Sequence, residues 1–423
     1  MQRRSVLQTM GRTSVVAGVT VCGCLSSATD TEYRWKYEVG GNIDAVSQNT
    51  VFVRERSETE SPDDGGFFSL SNSSPSANGQ VVALDAETGD PQWTYGETGE
   101  MAGYTELTVT DDVYFSYCGD DNCHRLFALE RDGDTRWENE TGGSWNRPVV
   151  ADGVVYSAND TGTVWAFDAD TGDERWTRRV RGPDGGGGSS GSIIAVADAV
   201  YVAIDAGVVA LERGDGSTRW RYDIDTERPI LDTEVADGVA YIVTTDRVVA
   251  AADGDRLWHR QFEAVDIGIE TTITGLATDR LFVFAETEGA AFRLFAFDTA
   301  TGERDRVSEP LEHPSQEHAP QATLRDGTVY LGSNQLHALD VVTGNERWEV
   351  TIDAGPIQSV TTISAETAED DAVFVHADGS RLVGFTSDGE RTWTGAVDGR
   401  IRNYLVDESV FVSTDEAVYS LRR

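Results

Sequence analysis

One strand-turn-strand pattern recurs along the 423-residue chain and limits the folds that it can adopt. In its clearest copies, at 81–93, 164–176 and 336–348, an apolar strand ends in Ala-Leu-Asp or Ala-Phe-Asp. A Thr-Gly turn follows, and a tryptophan comes eight residues after the aspartate. Repetition about every 40 residues is typical of a β-propeller, in which four-stranded sheets are arranged as blades around an axis. The pattern therefore predicts an all-β ring rather than an enzyme domain with one central core.

The copies also predict how the ring closes. Nine units can be followed, and eight of them run from a hairpin through a third strand into a fourth. The ninth unit stops at its third strand, 418–421, and the missing fourth strand is supplied by 33–39 near the other end of the chain. Closure removes the unpaired sheet edges of an open array. We therefore predict a single closed β-propeller over residues 33–423, with the N-terminal strand completing the last blade.

The repeated tryptophan is predicted to have a structural role. Its indole can pack between neighbouring blades while its N–H donates a hydrogen bond to a backbone carbonyl. Unit six has Arg306 at this position, and unit five, 248–254, has a shorter turn. The predicted docking residues are Trp35, Trp93, Trp137, Trp176, Trp220, Trp258, Trp348 and Trp393.

The charge of the chain restricts its partners and its setting. With 73 acidic and 34 basic residues the formal net charge is -39, and Lys36 is the only lysine. At about 1 M salt the screening length falls to roughly 3 Å, so such a surface tolerates its own repulsion there. The composition is typical of halophilic proteins. It disfavours nucleic acid as a partner, because a phosphate backbone would be repelled.

The N-terminal residues resemble an export signal. The pair Arg3-Arg4 precedes a short apolar stretch, 15–21, and Cys24 follows a glycine. This arrangement predicts a Tat-type lipoprotein signal peptide over 1–23, lipidation at Cys24 and a short tether over 24–32. The protein would then be exported by the Tat pathway and held at the cell surface, on the outer face of the cytoplasmic membrane. The alternative is an uncleaved leader that carries no lipid.

Two features interrupt the repeat. Cys118 and Cys123 are close in sequence, and outside the cell a disulfide between them is the expected state. A metal site that adds His124 to the two thiolates is the alternative. The polar segment 55–79, rich in Ser, Asp and Gly, is predicted to be a flexible insertion in the first blade.

The pattern Ala-x-Asp-x-x-Thr-Gly-x-x-x-Trp resembles the tryptophan-docking repeat of the pyrroloquinoline-quinone (PQQ) propeller superfamily. The resemblance covers essentially the whole mature chain. The superfamily includes quinoprotein alcohol dehydrogenases and a branch of non-enzymatic lipoproteins that support outer-membrane protein assembly. Its members usually have eight blades, so the resemblance and the unit count together predict eight to nine.

The resemblance implies two different functions. The dehydrogenases use adjacent cysteines beside the quinone, and a Glu, an Asn and an Asp around calcium. Cys118 and Cys123 are separated by four residues, which favours the lipoprotein branch. We predict a non-catalytic, membrane-anchored extracytoplasmic scaffold or assembly factor, monomeric, with unidentified envelope partners and no catalytic, cofactor-binding or metal-binding residues. The alternatives are a dehydrogenase dependent on PQQ and calcium, and an extracytoplasmic sensor that binds a ligand or an ion.

Overall fold

The computed structural model describes most of the chain after residue 32. All its regular elements are β-strands, 39 in number within the described part. The described residues are 33–55, 76–77, 80–96, 101–119, 124–142, 146–159, 161–180, 192–204, 207–224, 230–261, 272–287, 291–308, 311–312, 321–352, 357–362, 373–377 and 379–422.

The strands of the first five blades follow one another along the chain. Blade 1 consists of β2 (Gly41–Ser47), β3 (Thr50–Glu55), β5 (Val81–Asp85) and β6 (Pro91–Tyr95). Blade 2 consists of β4 (Ser76–Ala77), β7 (Met101–Tyr104), β8 (Thr108–Val109), β9 (Val113–Gly119), β10 (His124–Leu129) and β11 (Thr135–Glu140). Blade 3 consists of β12 (Val149–Ala151), β13 (Val154–Ala158), β14 (Thr163–Asp168) and β15 (Glu174–Arg179). Blade 4 consists of β16 (Ser192–Val196), β17 (Val200–Ile204), β18 (Gly207–Leu211) and β19 (Thr218–Asp223). Blade 5 consists of β20 (Ile230–Ala236), β21 (Val239–Thr244), β22 (Arg247–Ala252) and β23 (Asp255–Gln261).

The last four blades complete the ring. Blade 6 consists of β24 (Thr272–Ala277), β25 (Arg280–Thr287), β26 (Ala291–Asp298), β27 (Arg304–Val307) and β28 (Leu311–Glu312). Blade 7 consists of β29 (Gln321–Arg325), β30 (Thr328–Gly332), β31 (Gln335–Asp340) and β32 (Glu346–Thr351). Blade 8 consists of β33 (Ile357–Thr362), β34 (Val373–Ala377), β35 (Arg381–Phe385) and β36 (Arg391–Ala396). Blade 9 consists of β37 (Ile401–Val406), β38 (Val410–Thr414), β39 (Val418–Leu421) and β1 (Tyr33–Tyr37).

The structure confirms the closed propeller and fixes the number of blades at nine. Strand β1 pairs antiparallel with β39, with Trp35 opposite Ser420 and Tyr37 opposite Val418. The first strands of neighbouring blades touch, as β20 and β24 do, so the first strands form the inner ring and the fourth strands the outer one. The N-terminal strand therefore completes the last blade, as the sequence predicts.

The hydrophobic core is divided among the blade boundaries. The described residues form nine apolar clusters, and each combines residues from two neighbouring blades. Between blades 3 and 4, for example, Val164 of β14 packs in the same cluster as Val202 of β17. Middle strands are apolar on both faces because each face is covered by another sheet.

A repeated bulge shapes the outer edge of the blades. In blade 3, Ala166 is paired with Trp176 but Phe167 is paired with Glu174, so Arg175 is an extra residue in the fourth strand. The same register shift occurs between the third and fourth strands of all nine blades. Since an extra residue reverses the in-out alternation of a strand, the residues before and after the bulge can point to the same face.

Blade 2 departs from the four-stranded plan. Both β7 and β8 pair with β9, and β4 pairs with β7. Because β4 is Ser76–Ala77, two residues of the segment predicted to be a flexible insertion extend the sheet of the next blade. Glu55, the first residue of that segment, belongs to β3.

The glycine of the Thr-Gly turn should be required both for its backbone conformation and for its close contact with a tryptophan. A matched variant can separate the two effects. Gly172 has φ +73°, and a Cβ there would lie 2.7 Å from Cγ of Trp137. Gly153 has a similar φ of +70°, but a Cβ at that position would have no atom within 4 Å. A left-handed conformation costs a non-glycine residue about 1–2 kcal/mol, and overpacking costs about 1–3 kcal/mol more.

We therefore expect Gly172→Ala to lower the free energy of unfolding by more than Gly153→Ala does. Chemical denaturation of both variants beside the wild type measures the difference. Equal losses would show that backbone conformation alone requires the glycine and that the contact with Trp137 is unimportant.

Candidate functional site

Seven of the eight repeated tryptophans donate a hydrogen bond to the next blade. In each case the acceptor is a backbone carbonyl that follows the third strand of that blade. The bonds run from Nε1 of Trp35 to Ala86 (2.9 Å), Trp93 to Arg131 (2.6 Å), Trp137 to Ala169 (2.9 Å), Trp176 to Arg213 (2.9 Å), Trp258 to Thr299 (2.8 Å), Trp348 to Ser387 (2.7 Å) and Trp393 to Arg422 (2.7 Å).

Trp220 is the exception within the described part of the chain. It faces blade 5, whose turn contains only Asp253 and Gly254, with φ of +51° and +84°. This tight turn does not bring a carbonyl to the indole N–H, although Trp220 remains buried at 7% exposure. Packing and hydrogen bonding are thus separable at this boundary. The side chain of Arg306, which replaces the tryptophan in blade 6, lies outside the described residues.

The residue before the tryptophan has a role that the repeat pattern alone does not predict. Arg175 donates to Oδ2 of Asp168 at 2.7 Å, and Arg347 makes the same bond to Asp340 at 2.6 Å. The pKa of Asp168 falls to about 2, first because of Arg175 and then because the backbone N–H of Thr171 donates to the same carboxylate. The signal in the sequence is the dipeptide Arg-Trp. The repeated carboxylates are therefore bound to their own blade and are poor candidates for catalysis.

A second set of links joins the blades at the inner ring. Oδ2 of Asp44 accepts the N–H of Leu107 in the next blade at 2.9 Å, while Oδ2 of Asp232 accepts that of Ile273 at 2.8 Å. Asn403 makes the corresponding bond to Ile43, at 3.1 Å. Burial is the largest cause that raises the pKa of both aspartates.

The cysteines of the chain and its two buried inner-ring aspartates do not fit the adjacent cysteines and calcium ligands that the resemblance to the dehydrogenases implies. The chain has no adjacent cysteines, and the buried carboxylates of Asp44 and Asp232 are already bonded to the neighbouring blade. Cys118 lies in β9, but Cys123 is outside the described residues, so the disulfide stays a prediction. The signal peptide, the tether and Cys24 also lie outside them. No helix among the described residues is long and apolar enough to cross a membrane.

A groove between blades 4 and 5 carries an excess of positive charge. Its volume is about 280 Å³, and two arginines and one aspartate line it with a histidine. The side chain of Arg256 is exposed and forms no hydrogen bond or ion pair with any described residue, whereas Arg247 pairs with Asp246 at 2.9 Å. Burial, and then the nearby Arg256 and Arg247, lower the pKa of His259. The lining residues are Tyr222, Asp223, Ile224, Arg247, Val249, Arg256 and His259.

A second cavity lies on the other side of β23. It has a volume of about 430 Å³, and Arg260 and Arg304 line it together with Glu303. Arg260 donates to the backbone carbonyl of Thr301 at 2.6 Å, which holds its side chain against blade 6. The outer edge of blade 5 is thus basic on both faces in a chain whose net charge is -39. We call the groove between blades 4 and 5 the blade 5 basic groove.

Comparison with known proteins decides the family. The PQQ_2 family model, described as outer membrane protein assembly factor BamB, matches residues 6–119, 77–232, 208–319 and 296–421. The chain belongs to this family. The overlapping matches run through all nine blades, so the family assignment rests on the same repeat that builds the ring.

Individual members of the family are distant from this chain. The outer membrane protein assembly factor BamB of Salmonella typhimurium is 27% identical over 274 residues, which cover 58% of this chain and 65% of that protein. The BamB of Burkholderia pseudomallei is 24% identical over 249 residues, covering 53% and 60%. The match thus spans less than two thirds of each relative.

A solved structure agrees on the fold. The crystal structure of BamB from Moraxella catarrhalis superposes with a TM-score of 0.50 at 16% identity, covering 76% of this chain and 99% of that one. At this identity the likeness concerns the propeller architecture.

Proposed function

We propose that this chain is a non-catalytic extracytoplasmic propeller, anchored to the membrane at Cys24, that binds envelope proteins as a scaffold or assembly factor. The observation that carries the proposal is the family match over nearly the whole chain, to proteins described as outer membrane protein assembly factors. The repeated carboxylates and tryptophans hold the ring together. Binding would therefore depend on side chains that differ between the blades, at rims and grooves.

The blade 5 basic groove is the surface that we assign to a partner. An acidic segment of an envelope protein would meet the unpaired guanidinium of Arg256, while most of the remaining surface would repel it. Leu257, 52% exposed, lies beside Arg256 on the same outer strand and offers an apolar contact. Complementary charge would direct the encounter, and the apolar contact would add affinity.

Photo-crosslinking on intact cells tests this function and its location together. A photoreactive amino acid is placed at Leu257, which leaves Arg256 intact, and in a second strain at Arg175, which holds the equivalent position directly before the tryptophan of blade 3. We expect a reproducible envelope protein to be captured from position 257 and not from position 175. Capture from neither position would contradict the proposed function, and equal capture from both would contradict the assignment to blade 5.

A separate measurement distinguishes the dehydrogenase alternative. Purified protein is mixed with PQQ and calcium, and the cofactor spectrum and the reduction of a dye with alcohols are followed. We expect neither, because the adjacent cysteines of the dehydrogenases are missing. Dye reduction that requires both PQQ and alcohol would overturn the non-catalytic assignment.

A further inference from the structure

We propose that blade 7 carries a binding site for a divalent transition metal, of the zinc class, formed by His337, Glu346 and Glu349. The three side chains each present a ligand atom, and these atoms all lie within 4.8 Å of one another. Nδ1 of His337 is 2.7 Å from Oε1 of Glu346 and 3.9 Å from Oε2 of Glu349. An imidazole with two carboxylates is a donor set that zinc uses in proteins.

The outer bulge of blade 7 brings the two carboxylates together. His337 is paired directly with Glu349, so both side chains point to one face of the sheet. The register shifts between Ala338 and Leu339, which leaves Arg347 as the extra residue. Without the bulge Glu346 and Glu349 would point to opposite faces, since they are three residues apart in a strand. The bulge reverses the alternation and turns Glu346 toward His337.

His337 is the residue in which blade 7 differs from the other blades, and this difference creates the site. In blade 7, Ala338 pairs with the docking residue Trp348, and His337 is the residue before Ala338. In every other blade the equivalent of His337 is an apolar or aromatic side chain. The equivalents of His337 in blades 1 to 6, 8 and 9 are Val82, Phe127, Trp165, Val209, Val249, Phe295, Val383 and Tyr419. Blade 7 thus has an imidazole, which can bind a metal, where the other blades have side chains that cannot.

Neighbouring residues orient the three ligands, and the two glutamates remain accessible to solvent. The side chain of His337 is 13% exposed, which fixes its ring, whereas the glutamates are 44% and 43% exposed. Nε2 of Gln335 donates to Oε1 of Glu349 and lies 3.1 Å from Oγ1 of Thr351. Such outer hydrogen bonds orient metal ligands, and three protein ligands leave a position for water.

The chemistry selects among divalent cations. Calcium and magnesium prefer sites made of oxygen ligands, and the imidazole nitrogen disfavours both. Nitrogen and carboxylate donors together suit Zn²⁺, with Co²⁺ as a spectroscopic substitute. Without a metal, the hydrogen bond between Nδ1 of His337 and Oε1 of Glu346 would hold these side chains together, and this is the competing explanation for their closeness.

Calorimetric titration of the purified full chain with Zn²⁺ tests the site, after treatment with a chelator and in about 1 M NaCl to screen diffuse binding by the acidic surface. We expect one saturable site, and His337→Val should weaken it by about tenfold or more. Valine is the residue that blades 1, 4, 5 and 8 use here, so this variant should keep its fold, which circular dichroism and denaturation check. Co²⁺ absorption should show nitrogen ligation in the wild type and lose it in the variant.

Matched glutamate variants complete the test. Glu346→Gln and Glu349→Gln should each weaken Zn²⁺ binding, whereas Glu174→Gln, at the position of Glu346 in blade 3, should leave it unchanged. The absence of saturable binding to the wild type, or equal affinity in the wild type and His337→Val, would overturn the metal site in favour of the hydrogen bond between His337 and Glu346. Neither outcome depends on whether a protein partner binds at blade 5.

Discussion

Replacing Trp176 by alanine should lower the free energy of unfolding by about 3–5 kcal/mol. The side chain is only 6% exposed and lies in the apolar cluster between blades 3 and 4. Its Nε1 donates to the carbonyl of Arg213 at 2.9 Å, and a Cβ on Gly216 would lie 2.5 Å from its Cε3. The variant loses packing on both sides and leaves a carbonyl without its donor. Denaturant unfolding measures the loss, and a value below about 1 kcal/mol would contradict a docking role.

Phenylalanine variants separate the packing from the hydrogen bond. Trp176→Phe keeps most of the apolar contact and removes the donor, so it should cost more than Trp220→Phe, whose indole N–H has no acceptor among the described residues. The expected difference is about 0.5–1.5 kcal/mol, the net value of one hydrogen bond. Equal losses in the two variants would mean that the tryptophans act by packing alone.

The ring could be predicted from sequence because its determinants are repeated and local. Each copy supplies the same apolar third strand, the same turn and, in eight units, the same tryptophan. A copy that departs from the pattern can therefore still be recognised from the regular copies around it. Closure of the ring could be predicted because the last unit lacks a fourth strand after 418–421 and the N-terminal strand at Trp35 can supply it. The choice between eight and nine blades needed the strand pairing itself.

The candidate sites could not be predicted in the same way because they depend on bulges and on contacts between blades. The carboxylates of Glu346 and Glu349 point to one face only because the register shifts beside them. The basic groove requires that Arg256 of blade 5 and Tyr222 of blade 4 line the same groove, which no local sequence pattern predicts. Comparing the nine copies with one another would have marked His337, since it is polar where the others are apolar or aromatic.

The inner links were missed for a related reason. Asp44, Asp232 and Asn403 follow isoleucines at inner-strand bulges, but at different distances, so they do not form a regular motif. Isolated polar residues in a strand are usually assigned to the solvent-facing side. Here they are turned toward the backbone of the next blade, where burial makes their hydrogen bonds obligatory.

Replacing Arg54 by methionine should lower the free energy of unfolding by about 3–5 kcal/mol near pH 7, because it leaves the carboxylate of Asp44 buried without its counter-charge. The side chains of Arg54 and Asp44 are 8% and 4% exposed. Nη2 of Arg54 donates to Oδ1 of Asp44 at 3.0 Å, and its Nε donates to the other oxygen. Arg175→Met is the control for an exposed pair, with Arg175 and Asp168 44% and 30% exposed. It should cost much less, because solvent screens the charges of an exposed pair.

The origin of the loss can be tested by removing the charge as well. In the double variant Arg54→Met/Asp44→Asn, the amide oxygen can still accept the N–H of Leu107, as Asn403 does for Ile43 at the boundary between blades 9 and 1, so most of the stability should return. Burial already raises the pKa of Asp44, and losing Arg54 removes the largest opposing effect. A raised folded-state pKa favours folding at low pH and disfavours it as pH rises, so the deficit of Arg54→Met should shrink as pH falls toward about 4. A deficit that is independent of pH and persists in the double variant would show that the aliphatic packing of Arg54, rather than its charge, supports the contact between blades 1 and 2.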